Sequence, residues 1–275
     1  MAGPLNGAPR ALDEPGVNSP GVVITCEHAG NRIPAPYRKY FSGHFDLVRT
    51  HRGYDPGALE MARTCATALS APLLASMVTR LIVDLNRSVR HPALHFDTIR
   101  QAPEDIRKAI VEAYYAPYRS RAQALMDTIV THHGQVLHLS CHSFVPELDG
   151  ERRTADIGLL YDPKRALEAS LCEQWQTAMA RRDHRLAIRR NYPYRGNGDG
   201  LTTTFRRRYA PDAYLGIELE INQEHVFAGG HHWTSLRKLI VDTLSELLQR
   251  PVKPDPAAAR HPSGSRPSQR EETSS

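Results

Sequence analysis

Two histidines stand at the points where predicted buried strands end. His142 follows a predicted strand over residues 135–141 that begins with a β-type apolar run at 135–137, and His28 follows a second run over residues 22–26. In open α/β sheets, ligands bind at the carboxyl ends of the strands. The two histidines are therefore expected to meet at one edge of a sheet, in a site built from distant segments of the chain.

A third apolar run, at residues 81–83, is predicted as a strand that delivers Asp84, Asn86 and Arg87 to the same edge. An arginine offers a rigid fork of donors that matches a carboxylate. Asn86 and Arg87 are therefore candidates for binding a carboxylate of the substrate. The alternative interpretation is an ordinary salt bridge between Arg87 and a neighbour such as Asp84.

Histidine and carboxylate side chains at this edge could hold a metal ion. A catalytic zinc takes three protein ligands from His, Asp or Glu and keeps one position open. His28, His142 and Asp55 supply such a set, and Asp55 lies at the predicted start of a helix, which it could cap. Because no short ligand pair is present, each side chain could instead be a buried or loop residue with a hydrogen-bonded partner.

Glu218 and Glu220 are the candidates for acid–base catalysis. They lie two residues apart in a predicted strand over residues 213–221, so their side chains share one face. Carboxylates are rare within a buried strand unless they are paired or reach a site. A glutamate beside a metal site can take a proton from water and later pass one to a leaving amine. An edge strand with a wet face is the alternative.

A loop at residues 191–200 contains three glycines and Arg195, and Thr202 follows it. The glycines predict a flexible loop that could close over a polar ligand. It matches neither a phosphate-binding loop nor a dinucleotide-binding fingerprint. We therefore predict that Arg195 and Thr202 contribute to binding a polar substrate.

The four cysteines are widely spaced, which favours reduced thiols in a cytoplasmic protein over disulfides; they are Cys26, Cys65, Cys141 and Cys172. A cysteine-dependent hydrolase is an alternative function. Cys141 adjoins His142, but neighbours on a strand point to opposite faces. Such a nucleophile would need Cys26 or Cys141 to meet a histidine from elsewhere in the chain.

The composition is that of an ordinary globular protein: 275 residues, 40% hydrophobic and 24% charged, with a formal charge of +5. The sequence shows neither an apolar run of membrane-helix length nor the apolar core of a secretion signal.

Arginines cluster at residues 181–190 and 206–208 without the aromatic residues or motif of a nucleic-acid-binding protein. We expect the first cluster to be a solvated face, whereas the second could serve an acidic substrate. The expected partner is a small molecule, neither nucleic acid nor membrane.

Predicted strands and helices alternate along the chain, which is typical of a three-layer α/β/α sandwich with a mixed, largely parallel sheet. Besides those already named, strands are predicted over residues 72–78, 156–161 and 185–189. Helices are predicted over residues 55–69, 103–130 with a kink or break at Pro117, 165–180 and 233–249. The predicted organisation is a mobile arm (1–20), a single α/β domain (21–250) and a disordered tail rich in Pro and Ser (251–275).

Five motifs, in this order, resemble the N-formylglutamate amidohydrolase family. They are residues 23–34 (VITCEHAGNRIP), 51–55 (HRGYD), 83–88 (VDLNRS), 141–144 (CHSF) and 217–222 (IELEIN). The resemblance implies a fold shared with the zinc carboxypeptidases and the acylamino-acid deacylases. It also implies zinc-dependent hydrolysis of N-formyl-L-glutamate to formate and L-glutamate, at the end of histidine breakdown.

The resemblance assigns His28 and His142 as metal ligands. Zinc carboxypeptidase-like enzymes have a glutamate three residues after the first histidine, and Asn31 occupies that position here. The third ligand predicted for this chain is therefore Asp55, with Glu27 as the rival.

The same resemblance makes Asn86 and Arg87 the pair that holds a substrate carboxylate, and Glu220 the base. Many relatives have an aspartate before the second histidine, where this chain has Cys141, so a possible outer carboxylate is missing. The sequence predicts a metal-dependent amidohydrolase acting on a small N-acyl amino acid. A non-catalytic carboxylate-binding protein on the same fold is a further alternative.

Overall fold

A six-stranded sheet lies at the centre of the computed structural model, which describes residues 20–249. In chain order the strands are β1 (Gly21–Cys26), β2 (Leu73–Ala75), β3 (Val136–Phe144), β4 (Glu147–Leu148), β5 (Glu151–Arg152), β6 (Ile157–Leu160), β7 (Ile188–Arg190) and β8 (Tyr214–Asn222). The short strands β4 and β5 pair only with each other, as a separate hairpin.

Helices connect the strands and cover both faces of the sheet. They are α1 (Phe45–Val48), α2 (Ala58–Ala68), α3 (Asp97–Arg100), α4 (Glu104–Ile110), α5 (Ala116–His133), α6 (Ala166–Arg182), α7 (Leu201–Arg208), α8 (Gln223–Ala228) and α9 (Gly230–Leu248). A 3₁₀ helix spans Ala35–Phe41, and a π-helical segment, Val111–Tyr115, joins α4 to α5.

The strands run in the order β2-β1-β3-β8-β6-β7. The first four are parallel, and β6 is antiparallel to β8. The carboxyl ends of β1, β3 and β8 therefore meet at one edge. In the register of β3 with β8, His142 lies opposite Glu220. The mixed, mostly parallel sheet between helices confirms the predicted fold class.

Two apolar layers enclose the sheet. One face, with Leu139 and Ile217, packs against α2, α6 and α9. The other face, with Val23 and Tyr214, packs against α4, α5, α7 and the long segment between β2 and α3. Because successive strand residues alternate between faces, Cys141 enters the first layer while His142 faces the second side of the sheet.

The apolar run at residues 81–83 is not a strand, so this prediction is wrong. The run lies in a turn in which the Ile82 N–H bonds the Thr79 carbonyl at 3.0 Å. Ile82 and Val83 are buried in the second apolar layer. A short apolar run shows that a segment is buried, but its length cannot separate a strand from a buried turn. The predicted strand at residues 72–78 shrinks to β2.

Asp55 does not cap helix α2. The N-cap is Gly57, whose φ of +79° suits a residue without a Cβ. A Cβ there would also lie 2.5 Å from a methyl group of Val226. The predicted cap is wrong because the Asp55 carboxylate is bonded to His28 and His142 instead.

Pro117 changes the helix type without ending the helix. It lies in the first turn of α5, directly after the π-helical segment. Proline lacks an N–H and crowds the preceding turn, and the wider π turn accommodates both effects. The segment from α4 to α5 therefore continues through the position where a kink or break was expected.

Buried side chains bond the first residues of β8 on the side where β6 does not reach; β3 pairs with the other side along the whole strand. Among the described residues, β6 pairs with β8 only over residues 218–221. Before that point Glu168 accepts the Gly216 N–H at 2.9 Å, and Arg206 donates to the Gly216 carbonyl at 2.6 Å. Arg165 donates to the Tyr214 carbonyl at 3.0 Å. These bonds satisfy backbone groups that would otherwise be buried without partners.

Arg206 also forms a buried ion pair with Glu168, with 3.0 Å between Nε and the carboxylate. The expectation that residues 206–208 serve an acidic substrate is therefore wrong for Arg206, which belongs to the interior. The arginines of residues 181–190 are all exposed, as predicted for a solvated face.

No helix within residues 20–249 is both long and apolar enough to cross a bilayer. The predicted tail at residues 251–275, and all of the predicted arm except residue 20, fall outside the described residues. The single-domain assignment for residues 21–250 and the cytoplasmic location stay predictions.

Candidate active site

A cavity of about 240 Å³ opens at the edge where β1, β3 and β8 end. Its lining contains the predicted metal ligands, both glutamates and three of the four predicted substrate-binding residues. The lining residues are His28, Asp55, Arg80, Asn86, Arg87, His142, Ser143, Tyr194, Arg195, Gly198, Asp199, Glu218 and Glu220. The structure therefore brings together side chains that lie up to about 190 positions apart in the sequence.

His28, Asp55 and His142 form a buried cluster on one wall. The Nδ1 atoms of His28 and His142 lie 3.2 Å and 2.9 Å from the same atom, Asp55 Oδ2. The two rings are 5.0 Å apart between centroids. One ligand atom from each residue lies within 4.8 Å of the others. Both imidazoles thus share a common centre, as the sequence predicts.

Outer carboxylates fix the orientation of both rings. Nε2 of His28 lies 2.7 Å from Asp84 Oδ1. Nε2 of His142 lies 3.1 Å from Glu27 Oε2 and 2.9 Å from Ser140 Oγ. Histidine ligands of metal sites are commonly held in this way, through the nitrogen that does not bind the metal.

The donor set of this cluster fits a divalent metal. When each Nε2–H donates to its outer partner, both Nδ1 lone pairs point at Asp55 Oδ2, and only a cation or a proton between them makes this arrangement stable. Two imidazole nitrogens and a carboxylate are a known ligand set for catalytic zinc. The geometry favours Asp55 over Glu27 as third ligand, because Glu27 lies behind His142.

The pKa values of these groups show how strongly the cluster attracts positive charge. Burial raises the pKa of Asp55, but His28, His142 and Arg80 outweigh this and hold it below its usual range. Burial lowers the pKa of His142, yet the hydrogen bonds and charges of Asp55 and Glu27 raise it well above its ordinary value. A metal cation would replace the protons that the two imidazoles otherwise gain.

Arg80 is a site residue that the sequence analysis missed. Its Nη1 donates to Asp55 at 3.3 Å and its Nη2 donates to Asp84 at 2.7 Å. One guanidinium therefore positions both the candidate third ligand and the carboxylate behind His28. The sequence signal that could have identified it is the spacing of four residues between Arg80 and Asp84, which allows an ion pair only if the segment is a turn. In a strand, Arg80 and Asp84 would lie about 13 Å apart.

Glu220 faces the histidine cluster from β8. It is 5% exposed, and its Oε2 has no hydrogen-bond partner among residues 20–249. Burial raises its pKa to about 7, an effect that His142 opposes and the charges of Asp55 and Glu218 reinforce. A buried carboxylate without a partner is costly and marks a functional position.

Glu218 is held by Thr202, whose hydroxyl donates to Oε1 at 2.7 Å. Thr202 is fully buried and does not line the cavity. The structure therefore places it behind a glutamate instead of at the surface that a substrate would contact.

Asn86 and Arg87 also line the cavity. Asn86 Oδ1 accepts the N–H of Leu201 at 2.7 Å, which leaves the amide NH₂ group as the donor for a ligand. Arg87 donates to the backbone carbonyl of Asp199 at 3.4 Å. The alternative of a salt bridge from Arg87 to Asp84 is wrong, because Asp84 is bonded to His28 and Arg80.

The loop at residues 191–200 is tied to the scaffold. Gly196 donates to Asn191 Oδ1 at 3.0 Å and accepts from Arg206 at 2.5 Å. Asp199 Oδ2 accepts the N–H of Ser88 at 2.9 Å. Residues 196 and 199 are thus bonded to α7 and to Ser88, whereas closure of the loop over a ligand stays a prediction.

Gly158 allows this loop to pass beside Glu220 on strand β8. It lies opposite Glu220 in the pairing of β6 with β8. A Cβ at this position would lie 2.1 Å from the Tyr192 carbonyl oxygen and 3.2 Å from the Cβ of Glu220. The absence of a side chain therefore lets the loop approach closely enough to place Arg195 at the cavity.

The cysteines do not form a nucleophilic site. All four are buried free thiols. Burial raises the pKa of Cys26 well above its ordinary value, and that of Cys141 is raised by a hydrogen bond with Cys65 and by burial. Cys141 lies in the apolar layer beside α2, on the face of the sheet away from the cavity. This arrangement opposes the thiolate that a cysteine-dependent hydrolase needs.

The fold and the cavity together define a class of protein: an α/β sheet that carries two histidines, a carboxylate and a facing glutamate at the ends of its strands, a donor set that could hold a divalent metal. The family model for N-formylglutamate amidohydrolase matches residues 20–227, and the chain belongs to this family. Family membership confirms the resemblance carried by the five sequence motifs.

Two solved structures share this fold. The gene product Atu2144 from Agrobacterium tumefaciens is 27% identical, with a TM-score of 0.71 over 84% of this chain and 92% of that one. An N-formylglutamate amidohydrolase from Ralstonia eutropha JMP134 is 16% identical, with a TM-score of 0.64 over 86% of this chain and 94% of that one. A search of curated proteins finds no match.

Proposed function

We propose that the protein is a metal-dependent amidohydrolase that cleaves the amide of a small N-acyl amino acid, with N-formyl-L-glutamate as the first candidate. Membership of the N-formylglutamate amidohydrolase family supports a hydrolase of this type. The cavity of about 240 Å³ suits a small substrate, and three arginines line it. Arg80 is already paired with Asp55 and Asp84, and the other two, Arg87 and Arg195, match a substrate with two carboxylates.

The observation that carries the proposal is the position of Glu220. Its partnerless Oε2 is buried in the same cavity as His28, Asp55 and His142. A pKa of about 7 lets this carboxyl group both accept and return a proton near neutral pH.

His28, Asp55 and His142 are the residues that would hold a divalent cation, zinc in the first instance. Such an ion would supply Lewis-acid chemistry by polarising the amide carbonyl and making a water more acidic. Asp84 and Glu27 hold the two imidazoles in place, and Asp84 shares Arg80 with Asp55.

Glu220 moves the proton. It accepts one from the attacking water at Oε2 and donates one to the departing nitrogen, which leaves as a free amine. The negative charge of Glu218 helps to keep the pKa of Glu220 high. Thr202 fixes Glu218 in this position. In this role Thr202 supports catalysis indirectly, although the sequence suggested substrate contact.

Arg87 and the amide NH₂ of Asn86 bind the α-carboxylate of the substrate in the same cavity as the histidine cluster. Arg195, exposed at the rim of the same cavity, is placed for a second carboxylate. This pairing favours N-acyl derivatives of acidic amino acids over those of apolar ones.

The test is release of free amine and formate from N-formyl-L-glutamate by zinc-loaded protein. N-acetyl-L-glutamate and N-formyl-L-leucine serve as comparisons for the acyl group and the side chain. We expect turnover that a chelator abolishes and zinc restores, loss of at least about 10²-fold in kcat for Glu220→Gln with bound zinc unchanged, and insensitivity to thiol reagents.

Turnover that survives complete removal of metal would refute the proposal. Inactivation by a thiol reagent together with indifference to chelators would indicate a cysteine-dependent hydrolase. Binding of dicarboxylates without bound metal or turnover of any N-acyl amino acid would indicate the non-catalytic alternative.

A further inference from the structure

A second pair of histidines lies outside the cavity, where α8 meets α9. His225 Nδ1 lies 2.8 Å from His232 Nε2. The two rings are stacked, with centroids 5.0 Å apart and an interplanar angle of 22°. His232 is exposed on the first turn of α9, and His225 is partly buried. The sequence analysis assigned neither residue a role.

A carboxylate fixes the ring of His225. Asp156 Oδ1 lies 2.8 Å from Nε2 of this histidine, and Asp156 Oδ2 accepts the N–H of Ala187 at 2.6 Å. The ionised carboxylate accepts the Nε2–H, so Nδ1 carries the lone pair and points at His232. Asp84 holds His28 in the same way at the first site. The arrangement is that of a histidine held ready for a metal.

We propose that His225 Nδ1 and His232 Nε2 form a second, surface site for a divalent transition metal, with water completing the coordination. Imidazole nitrogens suit zinc, nickel and copper, and the neighbouring carboxylate makes His225 a better donor. The proton that His232 carries at Nε2 moves to Nδ1 when the metal binds, so no net proton is released.

The distance between the two nitrogens is compatible with this site. Two nitrogens bound to a tetrahedral zinc lie about 3.3 Å apart, so the pair needs to open by about 0.5 Å from its 2.8 Å. His232 can make this movement because it is exposed. Across the first site, each histidine nitrogen lies at a similar distance from its neighbouring donor atom, 2.9–3.2 Å.

A metal at this position would join α8, α9 and, through Asp156, the start of β6, all close to the end of β8. Helix α8 follows β8 without a break, and the side chain of Asn222 caps it by accepting the N–H of Glu224 at 3.0 Å. The Asn222 N–H in turn bonds the Asp156 carbonyl at 2.9 Å. We therefore expect the bound ion to stabilise the end of β8, which carries Glu220, without taking part in the reaction.

The experiment is a calorimetric titration of metal-free, full-length protein with Zn²⁺, on wild type, His232→Ala and His231→Ala. His231 is the matched control, since it is the adjacent exposed histidine and bonds Ser235 instead of His225. We expect two binding events for wild type and His231→Ala. In His232→Ala the weaker event loses at least about tenfold in affinity, and the increase in Tm that this event produces disappears.

The zinc affinity of Asp156→Asn is a second measurement, and it would not change if the histidine pair were merely structural. We expect an unchanged number of zinc sites, with the weaker event reduced in affinity by about 10-fold or more. Two unaltered events in His232→Ala, or an equal loss in His231→Ala, would overturn the proposal. An unaltered affinity in Asp156→Asn would remove the carboxylate from the site.

Discussion

Glu220 shows how its surroundings make one carboxyl group a candidate for acid–base catalysis. It is buried on a central strand, lies opposite His142 and has one oxygen without a partner among the described residues. Its folded pKa of about 7 lies above the usual value near 4.5. The folded protein therefore binds more protons at this group than the unfolded chain between these two pH values, and stability falls as pH rises through them.

Glu220→Gln should therefore stabilise the metal-free protein at alkaline pH. An amide cannot ionise, so the cost of a buried charge disappears. We expect the variant to gain about 2–3 kcal/mol relative to wild type at pH 8.5 and little at pH 4.5 or below. Urea unfolding of both proteins at the two pH values measures this. An equal gain at both pH values would mean that burial of the charge is not the cause.

His28→Ala should abolish the binding of metal at the cavity. The variant keeps only one of the two imidazoles that face Asp55 Oδ2, and it removes the partner of Asp84. Elemental analysis after dialysis against zinc should show one equivalent fewer than in wild type, and amide hydrolysis should disappear. His51→Ala is the control, because this nearby histidine lies outside the cluster and should keep its metal. Full zinc content in His28→Ala would remove His28 from the site.

Single site residues were predictable where a side chain that can bind a metal or transfer a proton lies near the end of a predicted strand. His28 follows the apolar run of β1, and His142 and Glu220 lie two residues before the ends of β3 and β8, so their place at one edge of the sheet could be inferred. Arg80 could not be found in this way. Its position depends on a turn that the apolar run at residues 81–83 concealed.

At the scale of elements, the strands that carry the site were predictable and the covering segments were not. The alternation of apolar and charged residues in β8 placed both glutamates on one face, and the register with β3 then set their neighbours. The position of the loop at residues 191–200 depends on its bonds with Arg206, which lies on the next helix, and with Ser88, which lies 111 residues before Asp199. Local patterns carry no information on such contacts.

Gly158→Ala tests whether close approach of this loop shapes the cavity. The added methyl group would overlap the Tyr192 carbonyl oxygen, which lies 2.1 Å from the Cβ position. The loop must then move away and take Arg195 with it. We expect KM for N-formyl-L-glutamate to rise about tenfold or more, with zinc content unchanged. The same steady-state parameters for Gly158→Ala as for wild type would show that the loop position is unimportant.

At the scale of the whole molecule, the Glu168–Arg206 pair joins the two helical layers. Glu168 lies on α6, which covers one face of the sheet, and Arg206 lies on α7, which covers the other. Both side chains bond Gly216 on β8, on the side that β6 does not reach. The pair therefore connects both layers to the strand that carries Glu218 and Glu220.

Glu168→Gln should destabilise the protein by about 3–5 kcal/mol, because it leaves the buried guanidinium of Arg206 without a counter-charge. Chemical unfolding followed by circular dichroism measures the loss. Glu173→Gln is the matched control on the same helix, since its exposed pairing with Arg190 spans 3.6 Å. That variant should change stability by less than about 0.5 kcal/mol. Equal effects of the two substitutions would mean that the interior pair is unimportant for the fold.

The bonds that tie residues 191–200 to Arg206 and Ser88 have a consequence for how a substrate is chosen. We expect these bonds to set the width of the opening before a substrate binds, so that the rim selects substrates by size instead of adapting to a bound one. Substrates with a short acyl group such as formyl should bind, whereas those with bulky acyl groups should be excluded by their size. No slow conformational change should be seen between substrate binding and hydrolysis.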